Sequence, residues 1–469
     1  MSISLSFYHR MPTSTRSIAA SLRGYYLRWW RYDKDTERLV EEALERDYWS
    51  QQEWEEWRQN RLSFILHRAA TKVPYYREMW SRRRQNGDRA SYEYLENWPI
   101  LEKQTLREVA RAFVADDCDP KRMFLEHTSG TTGTSLDLWS SRETLKYWYA
   151  LSEARWRRWY GVSKEDRWAI LGGQLVTPVN QERPPFWVWN SGLKQLYMSS
   201  YHLAAANLRS YLQAMKERRV RYVVGYTSAL YSLAHFALNE KIEDIRFEVV
   251  ITNAEPLYEY QREVISEAFR CPVRETYGMA EMAAAASECS SGSLHQWPEA
   301  GLIETPSTAI TDVNGVGDLI STGLVNPDML LIRYRIGDSG RHSGESCECG
   351  RSLPLIAKIE GRNDDLLYTI DGRRIGRLDP VFKGTFEISE AQIVQRSLRL
   401  ILVRYVPNGT ASKELETKIA DRIRERMGDV TVEFELVSVI PRTARAKFRA
   451  VICELSNEEK AGLAASHTA

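Results

Sequence analysis

The sequence predicts an α/β protein: a large domain built on a mainly parallel sheet with helices, followed by a small α+β domain. Three observations carry this. The apolar runs Trp168-Ala169-Ile170-Leu171, Tyr222-Val223-Val224-Gly225 and Phe247-Glu248-Val249-Val250-Ile251-Thr252 read as buried strands. Helical segments such as Ala204 to Arg218 separate them, the alternation that builds a parallel sheet. The charged, turn-like stretch Gly361-Arg362-Asn363-Asp364-Asp365 then precedes a segment of different pattern. At 469 residues, 43% hydrophobic and 27% charged, the chain has room for two or three domains with sizeable cores.

Residues 1–108 are expected to form a helical segment packed on the large domain. From about Tyr25 this part is rich in Trp, Arg and Glu, and Glu37 to Leu44 places apolar residues at helical spacing. Val73-Pro74-Tyr75-Tyr76 breaks the helical run. Residues 109–363 carry the strand-like runs, and residues 364–469 form the small domain. In it Leu398 to Tyr405 and Val430 to Leu436 read as strands, and Ser412 to Met427 as an amphipathic helix. The last dozen residues are small or polar and are expected to fray.

With 64 basic against 63 acidic residues the net charge is +1, so no overall field argues for a nucleic-acid partner. No apolar run reaches the roughly 18 residues of a membrane span, and the first thirty residues lack the apolar core of a secretory signal; a cytoplasmic protein is expected. Tyr25, Tyr26, Trp29 and Trp30 alternate with arginines, where packing on the chain's own domain is expected ahead of a membrane anchor. Six cysteines in a chain of this size do not make a disulfide scaffold, which points to reduced thiols.

The loop Thr128-Ser129-Gly130-Thr131-Thr132-Gly133-Thr134 is built to wrap phosphates. Glycines let backbone N–H groups approach an anion, and hydroxyls add donors without bulk. It lacks the Lys-Ser/Thr ending of a Walker A loop, so that NTPase chemistry fails here. The strand-like runs end in Gly225-Tyr226-Thr227-Ser228, Asn253-Ala254-Glu255-Pro256 and Tyr277-Gly278-Met279-Ala280-Glu281. In open α/β sheets ligands sit beyond the carboxyl ends of strands, so these segments are expected to share one rim. Cys289 with His295, and Cys347 with Cys349, supply three thiolates and an imidazole, a closed set suited to structural zinc, though not in a standard zinc-finger register.

Taken in order, Val73-Pro74-Tyr75-Tyr76-Arg77, the Thr/Gly loop, Asn253-Ala254-Glu255-Pro256-Leu257, Tyr277 to Glu281, Leu331 to Asp338, Gly361 to Asp365 and Lys447 resemble the adenylate-forming superfamily. The likeness is nearest to its phenylacetate–CoA ligase-like branch, which includes CapK-type proteins of capsular polysaccharide clusters. The resemblance implies a large adenylate-forming domain with a small mobile C-terminal domain. It implies that Thr128 to Thr134 hold the ATP phosphates, and that Glu255, Tyr277 and Gly278 line the nucleotide region. Glu281 would ligate Mg²⁺, which prefers oxygen ligands shared with phosphates. Asp338 would accept hydrogen bonds from the ribose hydroxyls, Arg362 would approach ribose and phosphate, and Asp364 would be the hinge. Lys447 would stabilise charge developing between a carboxylate nucleophile and the α-phosphate. Tyr226, Asn253 and Ala254 would border the pocket for a carboxylic acid. Similar Cys/His positions in that branch favour zinc.

The implied reaction is ATP-dependent activation of a carboxylic acid as its adenylate, with release of pyrophosphate and transfer of the acyl group to CoA. A carrier protein or an amine is the alternative acceptor. Two departures stand out: Arg445-Ala446 replaces the family's Ser-Gly before the lysine, and Thr134 stands where many members carry a lysine. They leave a nucleotide-binding chain without turnover as a second alternative.

Overall fold

The computed structural model describes residues 5–127, 136–178, 180–305, 317–362, 367–370, 374–375, 379–382, 387–407, 412–442, 448–456 and 458–459. The expected N-terminal helical layer begins earlier than Tyr25, with helices Leu5–Arg10, Thr13–Arg31, Lys34–Arg46, Gln51–Lys72 and Pro74–Gln85. Local chemistry sets several boundaries. Ser50 and Glu53 form a reciprocal capping box that starts the fourth helix. That helix stops because Val73, extended before a proline, cannot continue it, and Pro74 opens the next one at a position needing no N–H.

Twelve strands make one mixed sheet. In one half Val273–Gly278, Val249–Asn253, Tyr222–Tyr226, Trp168–Gly172 and Gln195–Ser199 run parallel, with Trp187–Asn190 antiparallel at the edge. Helices Ala205–Glu217, Thr227–Asn239 and Glu259–Phe269 bury Tyr211, Leu233 and Ile265 against this half. The other half is antiparallel: Ala285–Glu288, Leu294–Gln296, Leu355–Arg362, Tyr334–Ser343, Gly317–Gly323 and Gly301–Glu304. Strand Val273–Gly278 is the join. Its first residues pair in parallel with Val249–Asn253, and Thr276 to Gly278 pair antiparallel with Ala285–Glu288. The Tyr277-Gly278 motif therefore lies where the sheet changes character.

Helix Thr13–Arg31 covers the exposed edge of that sheet. Trp189 N–H donates to Ser17 Oγ at 3.3 Å and Ser21 Oγ donates to the Trp189 carbonyl at 3.3 Å, satisfying backbone groups that an edge strand leaves open. Gly24 permits the contact, because a Cβ there would stand 1.8 Å from Asn190 Oδ1. The expected burial of the neighbouring aromatics is split. Trp30 is buried and stacks on Phe124 at 5.2 Å, whereas Tyr25, Tyr26 and Trp29 are exposed.

A buried ion network ties the helical layer to the sheet. Arg155 Nε donates to Asp47 Oδ1 at 2.9 Å and its Nη1 to Glu299 Oε2 at 2.7 Å, while Arg46 Nε donates to Glu299 Oε1 at 2.8 Å. Each charge is paired, which is the condition for burying it.

After residue 362 the chain builds a separate four-stranded sheet in the order Thr431–Leu436, Leu400–Pro407, Ile388–Ser397, Val451–Cys453. Helix Lys413–Met427, capped by Ser412, packs Ile419 and Ile423 with Leu367, Ile393, Ile401 and Val403 into a core of its own.

Candidate active site and metal cluster

Tyr226 and Asn253 are register partners on adjacent parallel strands, so these strands end side by side and deliver their following residues to one rim. Tyr226 Oη accepts from the Gly173 N–H at 3.2 Å, and Tyr201 donates to the Gly173 carbonyl at 3.0 Å, which gathers tyrosines at the end of strand Trp168–Gly172. Asn253 Oδ1 is buried with no partner among the described residues, an acceptor available to a ligand donor. Ala254 follows at φ +62°, a left-handed conformation unfavourable for alanine.

Strain at Ala254 is held in place by Glu255. This half-buried residue accepts the Ser228 N–H at 2.8 Å on Oε2 and the Phe448 N–H at 2.7 Å on Oε1. Ser228 lies in the first turn of helix Thr227–Asn239, where unpaired amides and the helix dipole favour an anion. Burial of the carboxyl pushes its pKa up, opposed by the two backbone donors and by Arg442. Phe448 immediately follows Lys447, so Glu255 ties the small domain to the rim. Arg442 adds to this contact, lying over the Phe448 ring at 4.5 Å while pairing with Glu390. Sequence reasoning assigned Glu255 to the nucleotide region and missed its partner, because a backbone amide 193 positions away leaves no residue-type signal.

At the sheet's join the Tyr277 hydroxyl donates to Asp338 Oδ2 at 2.6 Å. Asp338 and Arg362 face each other across the ladder between Tyr334–Ser343 and Leu355–Arg362. Gly278 ends its strand exposed, and a Cβ there would touch only a Trp156 ring carbon at 3.9 Å. Glu281 is nearly buried. Its Oε1 accepts from the Tyr334 hydroxyl at 3.0 Å and from Lys103 Nζ at 3.2 Å. Lys103 went unnoticed in the sequence. Leu101 places it, bonding in register with Arg333 and Arg335 just before the helix that Lys103 opens.

Thr128 to Thr134, Asp364 and Lys447 lie outside the described residues, as do Arg445 and Ala446. The strands flanking the Thr/Gly loop pair as a hairpin, with His127 opposite Asp137.

The four proposed metal ligands do converge. Atoms of Cys289, His295, Cys347 and Cys349 all lie within 4.8 Å of one another. Cys289 Sγ stands 3.5 Å from Cys347 Sγ, too far for a disulfide, and Cys349 Sγ stands 3.3 Å from His295 Nε2. Ligands about 2.3 Å from a tetrahedral zinc would be separated by about 3.8 Å, so the cluster has the right size. His295 Nδ1 meets the Leu353 carbonyl at 3.3 Å, which leaves Nε2 facing the thiols. Burial drives the His295 pKa down to about 4, keeping it neutral, the ligating form. Burial pushes the Cys289 thiol up to about 11, so a thiolate there calls for a cation. The cluster clips the hairpin of Ala285–Glu288 and Leu294–Gln296 to the loop between Tyr334–Ser343 and Leu355–Arg362. Arg351, over the Trp159 ring at 4.2 Å, and Trp159, donating to Asp47 Oδ2 at 2.6 Å, link it to the buried ion network. A tetrahedral ion held by all four would have no open position for catalysis.

Comparison with known proteins bears on the fold. Residues 367–454 match the family described as the CapK C-terminal domain. The chain is 25% identical to Protein CapK of Staphylococcus aureus over 461 residues, 95% of this chain and 98% of that protein. It is 28% identical over 245 residues to a phenylacetate–coenzyme A ligase of Thermus thermophilus, covering 45% of this chain and 54% of that enzyme. Among solved structures, 2-hydroxyisobutyryl-CoA ligase in its postadenylation state with R3-HIB-AMP superposes with a TM-score of 0.66 at 20% identity, covering 90% of this chain and 94% of that one. At that identity the likeness is one of fold. The chain thus resembles Protein CapK over nearly its whole length, carries a CapK C-terminal domain match in its last part, and shares the fold of an acyl-CoA ligase.

Proposed function

We propose that this protein is an AMP-forming ligase that activates a carboxylic acid with Mg-ATP and then passes the acyl group to CoA. A carboxylate oxygen attacks the α-phosphorus, the bond to pyrophosphate breaks, and the acyl-adenylate is the product of this first step. The observation that carries the reading is the Asp338 carboxylate, held by the Tyr277 hydroxyl and placed across the ladder from Arg362 at the strand-end rim. A fixed acceptor-only group suits a ribose diol, and an arginine at the facing register position suits phosphate chemistry. The unpaired Asn253 Oδ1 and the tyrosines around Gly173 border the space for nucleobase and acid.

In this reading residues 109–363 bind ATP and the acid, and residues 364–469 swing about Asp364. The Thr/Gly loop holds the phosphates and Lys447 meets the charge developing at the α-phosphate. Glu281 is the oxygen donor for Mg²⁺, which neutralises phosphate charge when bound. Lys103 adds a cation beside Glu281. Cys289, His295, Cys347 and Cys349 hold structural zinc.

ATP–pyrophosphate exchange against pooled aryl, short-chain, hydroxy and amino acids tests the proposal. Exchange is expected with one pool and is expected to fall about 100-fold in Lys447→Ala. Lys103→Ala is expected to raise the ATP concentration needed. Exchange that survives Lys447→Ala would transfer the role to another cation. Mg-ATP binding with no exchange in any pool would leave a nucleotide-binding chain without turnover.

A further inference from the structure

The N-terminal helix Thr13–Arg31 has two faces, and only one is explained by the fold. Ser17, Ser21 and Gly24 face the edge strand Trp187–Asn190, and Arg16 and Trp30 are buried. On the opposite side Ile18, Leu22, Tyr25, Tyr26 and Trp29 recur at helical spacing, and all are exposed, Leu22 by 67% and Trp29 by 71%. Phe7 of the preceding helix is likewise exposed. Large aromatic and aliphatic side chains in a continuous outward stripe are costly to leave in water.

Charge says what covers them. The first acidic residue of the chain is Asp33, and residues 1–32 hold five arginines. Because the whole chain is only +1, the remainder is net negative and this segment is locally basic in sequence, although Arg16 is buried. Arg28 pairs with Glu165, and Arg31 lies over the Tyr149 ring at 3.7 Å. Arg10 and Arg23 are exposed and make no ion pair among the described residues. We propose that this outward face docks the protein on the surface of an anionic lipid bilayer. Tyr and Trp favour the headgroup boundary, Ile and Leu enter the acyl region, and Arg10 and Arg23 meet lipid phosphates. A second copy of the chain fits less well. A two-fold contact on this face would bring arginine-only segments together, and six side chains fall short of the 20 to 30 residues a side of a typical stable interface. No helix of the described residues is long and apolar enough to cross a membrane, so the docking is to the surface.

Flotation of the full-length protein with phosphatidylcholine vesicles, with and without phosphatidylglycerol, tests this directly. Binding is expected only to the anionic vesicles and is expected to weaken as salt rises. Leu22→Ser with Trp29→Ser is expected to lower the partition coefficient about 100-fold. Arg10→Ser and Arg23→Ser are expected to lower it about five-fold each. Because all four side chains point outward, thermal melting is expected to stay unchanged and to confirm folding. Failure to float with anionic vesicles at low salt would overturn the proposal, as would equal binding by the Leu22/Trp29 variant. Light scattering that shows a wild-type dimer turned to monomer by that variant would assign the face to a second copy instead, also overturning it.

Discussion

Glu255→Ala should free the small domain from the rim. Its carboxylate accepts from two backbone amides, Ser228 N–H at 2.8 Å and Phe448 N–H at 2.7 Å, on either side of the domain contact. A hydrogen bond to a charged group contributes about 1.5–3 kcal/mol, so losing the Phe448 bond removes about 2 kcal/mol of docking, roughly a 30-fold shift toward the undocked arrangement. The Ser228 bond acts within the large domain and its loss frays the first turn of Thr227–Asn239. Hydrogen exchange resolved at the Phe448 amide by NMR separates the two effects, because undocking exposes that amide and fraying of the Thr227–Asn239 helix does not. Exchange there should speed about 30-fold in Glu255→Ala and by less in Glu255→Gln, which keeps a neutral acceptor. An unchanged Phe448 rate in the alanine variant would refute the clasp. The pH dependence has a defined sign. Burial raises the Glu255 pKa, so this carboxyl binds its proton more tightly in the folded protein than in the unfolded chain. Its contribution to global stability is therefore present at low pH and lost as pH rises through the raised value. Docking runs the other way: protonation removes one acceptor, so the clasp weakens as pH falls through that same value.

Two further outcomes are expected. Protein purified without chelator should carry about one zinc per chain by plasma mass spectrometry, and Cys349→Ser should lose metal and lower the melting temperature; metal-free protein with an unchanged melting point would reject the site. Glu299→Gln should cost about 3–5 kcal/mol in denaturant unfolding, because Arg155 and Arg46 would keep buried charge without its partner, and a loss under about 1 kcal/mol would refute that accounting. Burial works against ionising Glu299, but Arg155 and Arg46 outweigh it and hold the pKa below the ordinary value. Its stabilisation is present above the ordinary carboxylate range and lost as pH falls through the depressed value, so the gap between wild type and variant should close in acid.

Local signals were legible wherever the chain's own periodicity sets the structure. The apolar run at Tyr222 became strand Tyr222–Tyr226, and Ser412 began helix Lys413–Met427 where the amphipathic spacing placed it. The antiparallel half of the sheet was not anticipated, since strands such as Leu294–Gln296 span three residues and hold no readable alternation. For the candidate site, residue types at motif positions pointed to Asp338, Tyr277 and Glu281 and to the four Cys/His side chains that the fold brings together. They said nothing of Lys103 beside Glu281, which arrives through backbone pairing at Leu101.

By itself the sequence determined the parallel strands, the helices with clear periodicity, the order of the motifs and the chemistry of the donor sets, because these follow from neighbours a few positions apart. Tertiary structure alone decided which partners meet: Cys289 with Cys347 across 58 positions, Glu255 with Phe448 across 193, and the edge strand that turned Ser17 and Ser21 inward and left Leu22 and Trp29 in solvent. A helical stripe has no inside until another surface competes for it, and which stripe wins depends on contacts that no local pattern encodes.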